Sequence, residues 1–271
     1  MKTSNSMANL IVVSRFIGDN GRAILFLAAV FALGCVSVVK GEKIESDPIP
    51  MIHVSGGTIT NDAGRELTAS SFMISAAEIT WGQWYEVRKR ANVLEYDIGD
   101  RGAGFGADDP VHSVTWYDAV KWCNLRSELE GRTPVYWVGN EVFRAGQDPN
   151  VTAKQAADGY RLLSDAEWAY AVLKAEQNLL SRDQEESQSQ PCFSDRASML
   201  APRSVESNMS ADIWEWCFDL LPGCEAAGRV VRGGRESNLE ILCRMGLRGS
   251  YPPDQSSERI GFRVVLWASS N

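Results

Sequence analysis

The sequence predicts an α+β fold of short strands, long loops and a few helices. Three observations carry this. The apolar stretches are short and end at glycine or proline pairs, as strands do where they enter turns. Helix-start signals recur three times, without the strand–helix–strand alternation of a nucleotide-binding sheet. Nine Trp and 23 Gly accompany only two His, which suits irregular backbone pinned by large aromatic rings. At 271 residues the chain suffices for one large domain or two small ones.

Residues 23–33 form an unbroken apolar run behind Arg22. The run has the length of a signal-peptide core and is short for a bilayer span. Ala32-Leu33-Gly34-Cys35 follows. A cysteine behind a small residue resembles a bacterial lipobox, with Ala32 standing where an aliphatic residue is usual. Residues 1–35 are therefore expected to direct export to the periplasm or cell surface, with or without a lipid on Cys35. A retained anchor is the remaining option, and that lipid is the only membrane contact expected otherwise. Residues 36–50 read as a linker closed by Pro48 and Pro50, and residues 51–267 as the domain. Lys2, Arg15 and Arg22 against Asp19 make residues 1–34 net +2, so the rest of the −8 chain carries −10. An acidic body argues against a nucleic-acid partner.

Along the domain, residues 51–59 read as a strand broken at Gly56-Gly57. A second strand runs from Phe72 towards Ile79. Thr80-Trp81-Gly82-Gln83 fits a capping box, in which the Thr oxygen takes a free amide and the Gln reaches back. A helix should follow to about residue 91. Residues 97–109, rich in Gly and Asp, read as a loop. Thr115-Trp116-Tyr117-Asp118 is a second start, with Asp in the Glu or Gln place. Its helix should run over residues 116–130 to a stop at Gly131, with Trp116, Ala119, Val120 and Cys123 on the inner face. Residues 134–138 read as a strand and 139–158 as an insert. Ser164-Asp165-Ala166-Glu167 is the third box, and Trp168, Ala171 and Val172 continue its helix. Residues 183–190 form a polar run that reads as a surface loop. Residues 229–234 read as a strand ending in a tight turn, residues 248–253 as a turn, and residues 260–265 as a final strand.

Residues 208–219 hold the densest chemistry. Trp214 and Trp216 flank Glu215, which suggests a carboxylate held at the edge of the core. Asn208, Asp212, Glu215 and Asp219 place oxygen ligands close together in sequence, the chemistry of a hard cation such as calcium. The same stretch also reads as a core turn whose Glu and Asn bond backbone amides.

Five ordered motifs resemble the sulfatase-modifying-factor family, the formylglycine-generating-enzyme fold related to C-type lectins. They are Pro110-Val111-His112-Ser113-Val114-Thr115-Trp116-Tyr117-Asp118-Ala119, Gly159-Tyr160-Arg161-Leu162-Leu163-Ser164-Asp165-Ala166-Glu167-Trp168, Ile213-Trp214-Glu215-Trp216, Arg232-Gly233-Gly234 and Ile260-Gly261-Phe262-Arg263. The resemblance implies an irregular, loop-rich fold over roughly residues 50–266. It also implies a calcium ion held by the side chains of Asn208 and Glu215 and the carbonyls of Ala211 and Ile213. The family's Gly-Asn in that turn is Ala211-Asp212 here.

The departures bear on activity. Members that make formylglycine bind copper(I) with two cysteines, the fourth and ninth residues beyond the Arg/Lys-Gly-Gly turn. Asn238 and Cys243 stand at those places, so one soft ligand is missing and copper(I) is not expected to be held. Cys243 is the one catalytic candidate, and it also reads as a small buried apolar residue. Leu163 and Ser164 replace the family's Pro and Thr. Cys217 and Cys224 are close enough in sequence to bridge in an exported protein. Arg161, Arg232, Arg248 and Arg263 read as ligands for loop carbonyls or for a substrate carboxylate, and His53 and His112 as core or turn residues. Two functions stay open. One is an exported, non-catalytic binding or scaffold domain for a protein, peptide or glycan. The other is a formylglycine-generating or related oxidase acting on a protein or peptide thiol.

Overall fold

In the computed structural model, residues 48–60, 64–183, 213–221, 228–233 and 248–268 are described, with side chains omitted over 176–183. The chain divides into two units, Met1–Lys40 and Gly41–Asn271, and the fold below belongs to the second. No helix among the described residues is long and apolar enough to cross a membrane.

Among the described residues, thirteen strands and three α-helices follow one another. The first sheet joins β1 (Met51–Val54), β4 (Phe72–Ser75), β13 (Val264–Trp267) and β8 (Arg161–Leu162) in that order, with every pairing antiparallel. The second has the order β11 (Arg248–Tyr251), β10 (Arg229–Gly233), β9 (Trp214–Leu220) and β12 (Ile260–Gly261). Its β9–β12 contact is parallel. A hairpin of β2 (Gly57–Thr60) and β3 (Glu66–Ala69) stands apart. So does a small sheet of β6 (Glu141–Val142), β5 (Tyr136–Val138) and β7 (Thr152–Ala153). This is the α+β, loop-rich architecture that the sequence predicts.

All three helix starts form as expected. Helix α1 (Trp81–Arg88) carries the full Thr80–Gln83 box and stops short of the expected residue 91, where a 3-10 turn (Ala91–Leu94) begins. Helix α2 (Trp116–Leu129) carries the Thr115–Asp118 box. Gly131, at φ +75°, takes the left-handed position beyond its end, where glycine has no Cβ cost. At α3 (Asp165–Asp183) the Glu167 amide donates to Ser164 Oγ at 3.1 Å and the Ser164 amide donates to Glu167 Oε2 at 2.9 Å. Because Thr115 and Asp118 are both fully buried, water cannot replace their bonds. Thr115→Ala is expected to cost about 2 kcal/mol and Thr80→Ala about 1 kcal/mol, the upper and middle of the capping range. Urea unfolding of the two variants checks the order, and a smaller loss at Thr115 would refute it.

Helix α2 is more central than its sequence suggests. Its residues from Trp116 to Ser127 are all buried, not one face only. The polar ones survive burial by bonding surrounding loops. Asn124 donates to the Tyr136 and Phe143 carbonyls and accepts from the Tyr136 amide. Lys121 donates to the Asp97 carbonyl. Asp118 accepts from Arg101 at 2.9 Å. Tryptophans do the same from the apolar side. The indoles of Trp84, Trp116, Trp122 and Trp216 donate to the carbonyls of Arg101, Cys217, Trp84 and Val114. The rings themselves fill the main core beside Phe262. A second, smaller core, built on Phe72, Ile74, Val265 and Tyr170, lies between the other face of the first sheet and α3.

Several elements differ from the sequence reading, among them β6 and β7 within the expected insert and β8 ahead of the third box. Strand β3 was not expected; its Glu-Leu-Thr-Ala sequence is weakly apolar and pairs through a Thr58–Thr68 hydroxyl contact of 2.9 Å. The stretch from Trp214 to Asp219, read as a turn and core segment, lies in the central strand β9. Residues 248–251 are a strand instead of a turn, because β10 supplies the ladder. The final strand is split into β12 and β13: a Cβ on Gly261 would collide with the Val111 carbonyl, and the Phe262 carbonyl turns away to accept the Ile79 amide at 3.0 Å.

Candidate functional site

Glu215, the second residue of β9, has 5% of its surface exposed. Its Oε2 accepts the Trp168 indole N–H from α3 at 2.9 Å. Its Oε1 accepts Arg263 Nε at 3.0 Å. Arg263, between β12 and β13, also donates Nη1 to the Ser75 carbonyl at 3.0 Å and reaches Glu78 Oε2 at 3.2 Å. One guanidinium therefore stands between two carboxylates. Burial, and then the charge of Glu215, push the Glu78 carboxyl up, while Arg263 opposes them. Burial pulls the Arg263 guanidinium down, but Glu215 and Glu78 more than offset this and hold it above its ordinary range.

A second cluster surrounds the N-terminus of α3. Arg161 grips Glu167 with two bonds of 2.7 Å. Burial alone would push the Glu167 carboxyl up, but Arg161 and the Ser164 amide hold it below its usual range. Asp165 accepts Arg232 at 2.6 Å and Arg248 at 2.7 Å, and its amide donates to Asp219 Oδ2 at 2.6 Å. Burial, reinforced by the Asp165 charge, raises the Asp219 carboxyl, and the Asp165 amide opposes the rise.

All four arginines singled out in the sequence thus meet carboxylates, which the sequence reading did not assign to them. Each pairing joins residues from different strands and helices or from across a box. Glu78 left one trace, an acid inside the otherwise apolar and small run Ile74-Ser75-Ala76-Ala77-Glu78-Ile79. Asp165 and Glu167 were visible only as parts of a helix start.

The expected site residues divide. Cys243, Asn208 and Ala211 lie outside the described residues, as does Asn238. Ile213 and Glu215 come together at the start of β9. Both oxygens of Glu215 already accept donors, one of them cationic, so a calcium ion would share an oxygen with Trp168 or Arg263. Among the described residues, no three His, Cys, Asp or Glu side chains gather as a metal site. Cys123 and Cys217 are buried free thiols; Cys224, which the spacing would let bridge Cys217, lies outside the described residues. Burial raises both thiols, which removes the thiolate a nucleophile needs. His112 is buried, in an antiparallel bridge with Ala103, whereas His53 is exposed on β1.

The family described as the sulfatase-modifying factor enzyme 1-like domain matches residues 38–268. "Chaperone protein LppX" of Paenibacillus barcinonensis is 27% identical over 285 aligned positions, which cover 89% of this chain and 96% of that one. Among solved structures, CarF superimposes with a TM-score of 0.59 at 19% identity, covering 82% of this chain and 99% of its own. Treponema denticola variable protein 1 superimposes with a TM-score of 0.52 at 19% identity, covering 80% and 95%.

Proposed function

The chain belongs to the sulfatase-modifying factor family, and on that premise we propose that it is an exported, non-catalytic binding domain of the family. The carrying observation is Asn238, which stands where an oxidase of this family has its first copper-binding cysteine. A lone thiol at Cys243 holds copper(I) poorly. Cys123 and Cys217 cannot substitute, because both are buried away from solvent. Among the described residues, the arginines around Glu215 and α3 each meet a carboxylate, which is how a scaffold is fixed. The apolar run behind Arg22 supports export. The similarity to a protein called a chaperone accords with binding in place of catalysis.

The reading predicts that the protein takes up no copper(I) at one equivalent and consumes no oxygen with a sulfatase-type Cys peptide. Mass spectrometry should find the peptide thiol intact, with no aldehyde trapped by a hydroxylamine label. Stoichiometric copper(I) uptake with aldehyde formation would establish the oxidase instead. Asn238→Cys is the companion variant, expected to gain copper(I) binding.

Calcium belongs to the same reading as a structural ion, held by Asn208, Glu215 and the carbonyls of Ala211 and Ile213. An ion that binds only the folded state stabilises it by about 2.7 kcal/mol at a hundredfold excess over Kd. Calcium should therefore raise the Tm of the wild type and not of Asn208→Ala. That variant leaves the Glu215–Arg263 pair intact, which Glu215→Gln would not. An unchanged Tm between chelator and millimolar calcium would remove the ion from the reading.

A further inference from the structure

Strand β1 closes one edge of the first sheet, and among the described residues nothing pairs with its outer side. The direction of its backbone groups follows from one bond. The Ala76 amide donates to the Pro50 carbonyl at 2.8 Å, so Pro50 turns towards β4. Antiparallel ladders alternate, so Ile52 and Val54 also turn inward, and Met51 and His53 present their N–H and C=O groups outward. The next residue of the outward set, Ser55, gives its carbonyl to the Tyr170 hydroxyl at 2.9 Å. The open stretch is therefore centred on Met51 and His53. Proteins blunt such edges with charge or proline inside the strand, yet Met51-Ile52-His53-Val54 contains neither Lys, Arg, Asp, Glu nor Pro.

A cavity of about 460 Å³ opens beside this edge. His53, Met73 and Leu266 form one row across β1, β4 and β13, and all three line the cavity with Trp267, Arg132 and Asp158. The indole N–H of Trp267 is buried without an acceptor among the described residues. A residue placed opposite His53 on an added strand would point to the same face, about 5 Å away, and so into the mouth of the cavity. On the other face Ile52 is 41% exposed, so an added strand would cover apolar surface on that side too.

We propose that the β1 edge takes an extended, uncharged peptide segment of a partner protein as an added antiparallel strand, with one apolar side chain seated in the cavity beside His53. The main-chain ladder supplies affinity without sequence, and the cavity supplies selection at alternate positions. This rests on the binding-domain reading and gives it a partner class and a place.

The probe is a fluorescein-labelled octapeptide of alternating valine and threonine, titrated into the full chain by fluorescence anisotropy. In the antiparallel register the valines share the cavity face with His53, and their amides face β1. N-methylating the valine amides should weaken binding at least about tenfold, as losing two or more bonds of about 1 kcal/mol each implies. N-methylating the threonine amides should leave it unchanged. His53→Pro removes an outward N–H and no bond to β4, so it should weaken binding similarly with the wild-type Tm retained. Saturable binding with that asymmetry supports the proposal. No binding to the wild type, or equal effects of the two methylated probes, overturns it. A concentration-dependent dimer in sedimentation that the probe does not dissociate would give the edge to a second copy and also overturn it. Copper(I) oxidase activity would end the binding-domain reading through a different measurement, so the two failures are distinguishable.

Discussion

Arg263→Ala is expected to lower the stability of the domain by about 3–5 kcal/mol, the cost of leaving buried carboxylates without their cation. Arg263, Glu215 and Glu78 have side-chain exposures of 9%, 7% and 17%, so solvent screens the group weakly. Removing the guanidinium also frees the Ser75 carbonyl, which accepts one of its N–H groups. The loss should depend on pH. In the folded wild type the Glu78 carboxyl is raised by burial and then by Glu215, with Arg263 pulling the other way. Without Arg263 it rises further. A carboxyl raised by folding keeps its proton where the unfolded chain has released it. Its contribution is therefore full below the ordinary glutamate range and is lost as pH climbs through the raised folded value. The deficit of Arg263→Ala relative to wild type should thus be larger at about pH 8 than at about pH 5. Urea denaturation at both pH values measures it. A deficit below 1 kcal/mol, or one independent of pH, would show that the two glutamates do not depend on this arginine.

The capping boxes were legible in the sequence because a cap is local: Thr80, Thr115 and Ser164 find their partners three residues on. The same holds for the Gly131 stop and for the strands at Phe72 and Arg229. The family was legible because its motifs are short runs of residues in order. The ion-pair lattice was not, since Arg263 and Glu78 are joined by tertiary folding alone and neither carries a periodic signal. Helix α2 misled for a related reason. The sequence marked only Trp116, Ala119, Val120 and Cys123 as its inner face, yet Asp118, Lys121, Asn124 and Arg126 are buried too, under loops that no local pattern predicts. The edge at β1 is likewise a property of strand order, since the sequence shows an apolar run and cannot say which side of it is paired. Of the residues the resemblance assigns to a site, Glu215 and Ile213 could be followed to their places. Cys243, Asn208 and Ala211 fall outside the described residues.

The tryptophans either side of Glu215 give the second large expected effect, and the structure separates them. The sequence reading placed Trp214 in the core. In β9 it is half-buried against Gly249, whereas Trp216 is 1% exposed. Trp216 packs edge-on against Tyr251 with ring centroids 5.9 Å apart, and its indole donates to the Val114 carbonyl at 3.1 Å. That bond ties β9 to the residue just before the Thr115 cap of α2. Trp216→Ala should therefore cost about 3–5 kcal/mol, the range for a buried aromatic cut to Ala. The Val114 carbonyl, fully buried, would lose an N–H partner at the same time. Trp216→Phe keeps most of the volume and removes the donor, so it should recover more than half of the loss. Trp214→Ala should cost clearly less than Trp216→Ala, because about 25 cal/mol per Å² is forfeited only for area that was buried. Urea unfolding of the three variants gives the order. A Trp214→Ala loss equal to or above that of Trp216→Ala would mean that Trp214, and not Trp216, is the more deeply buried ring on the face the two share.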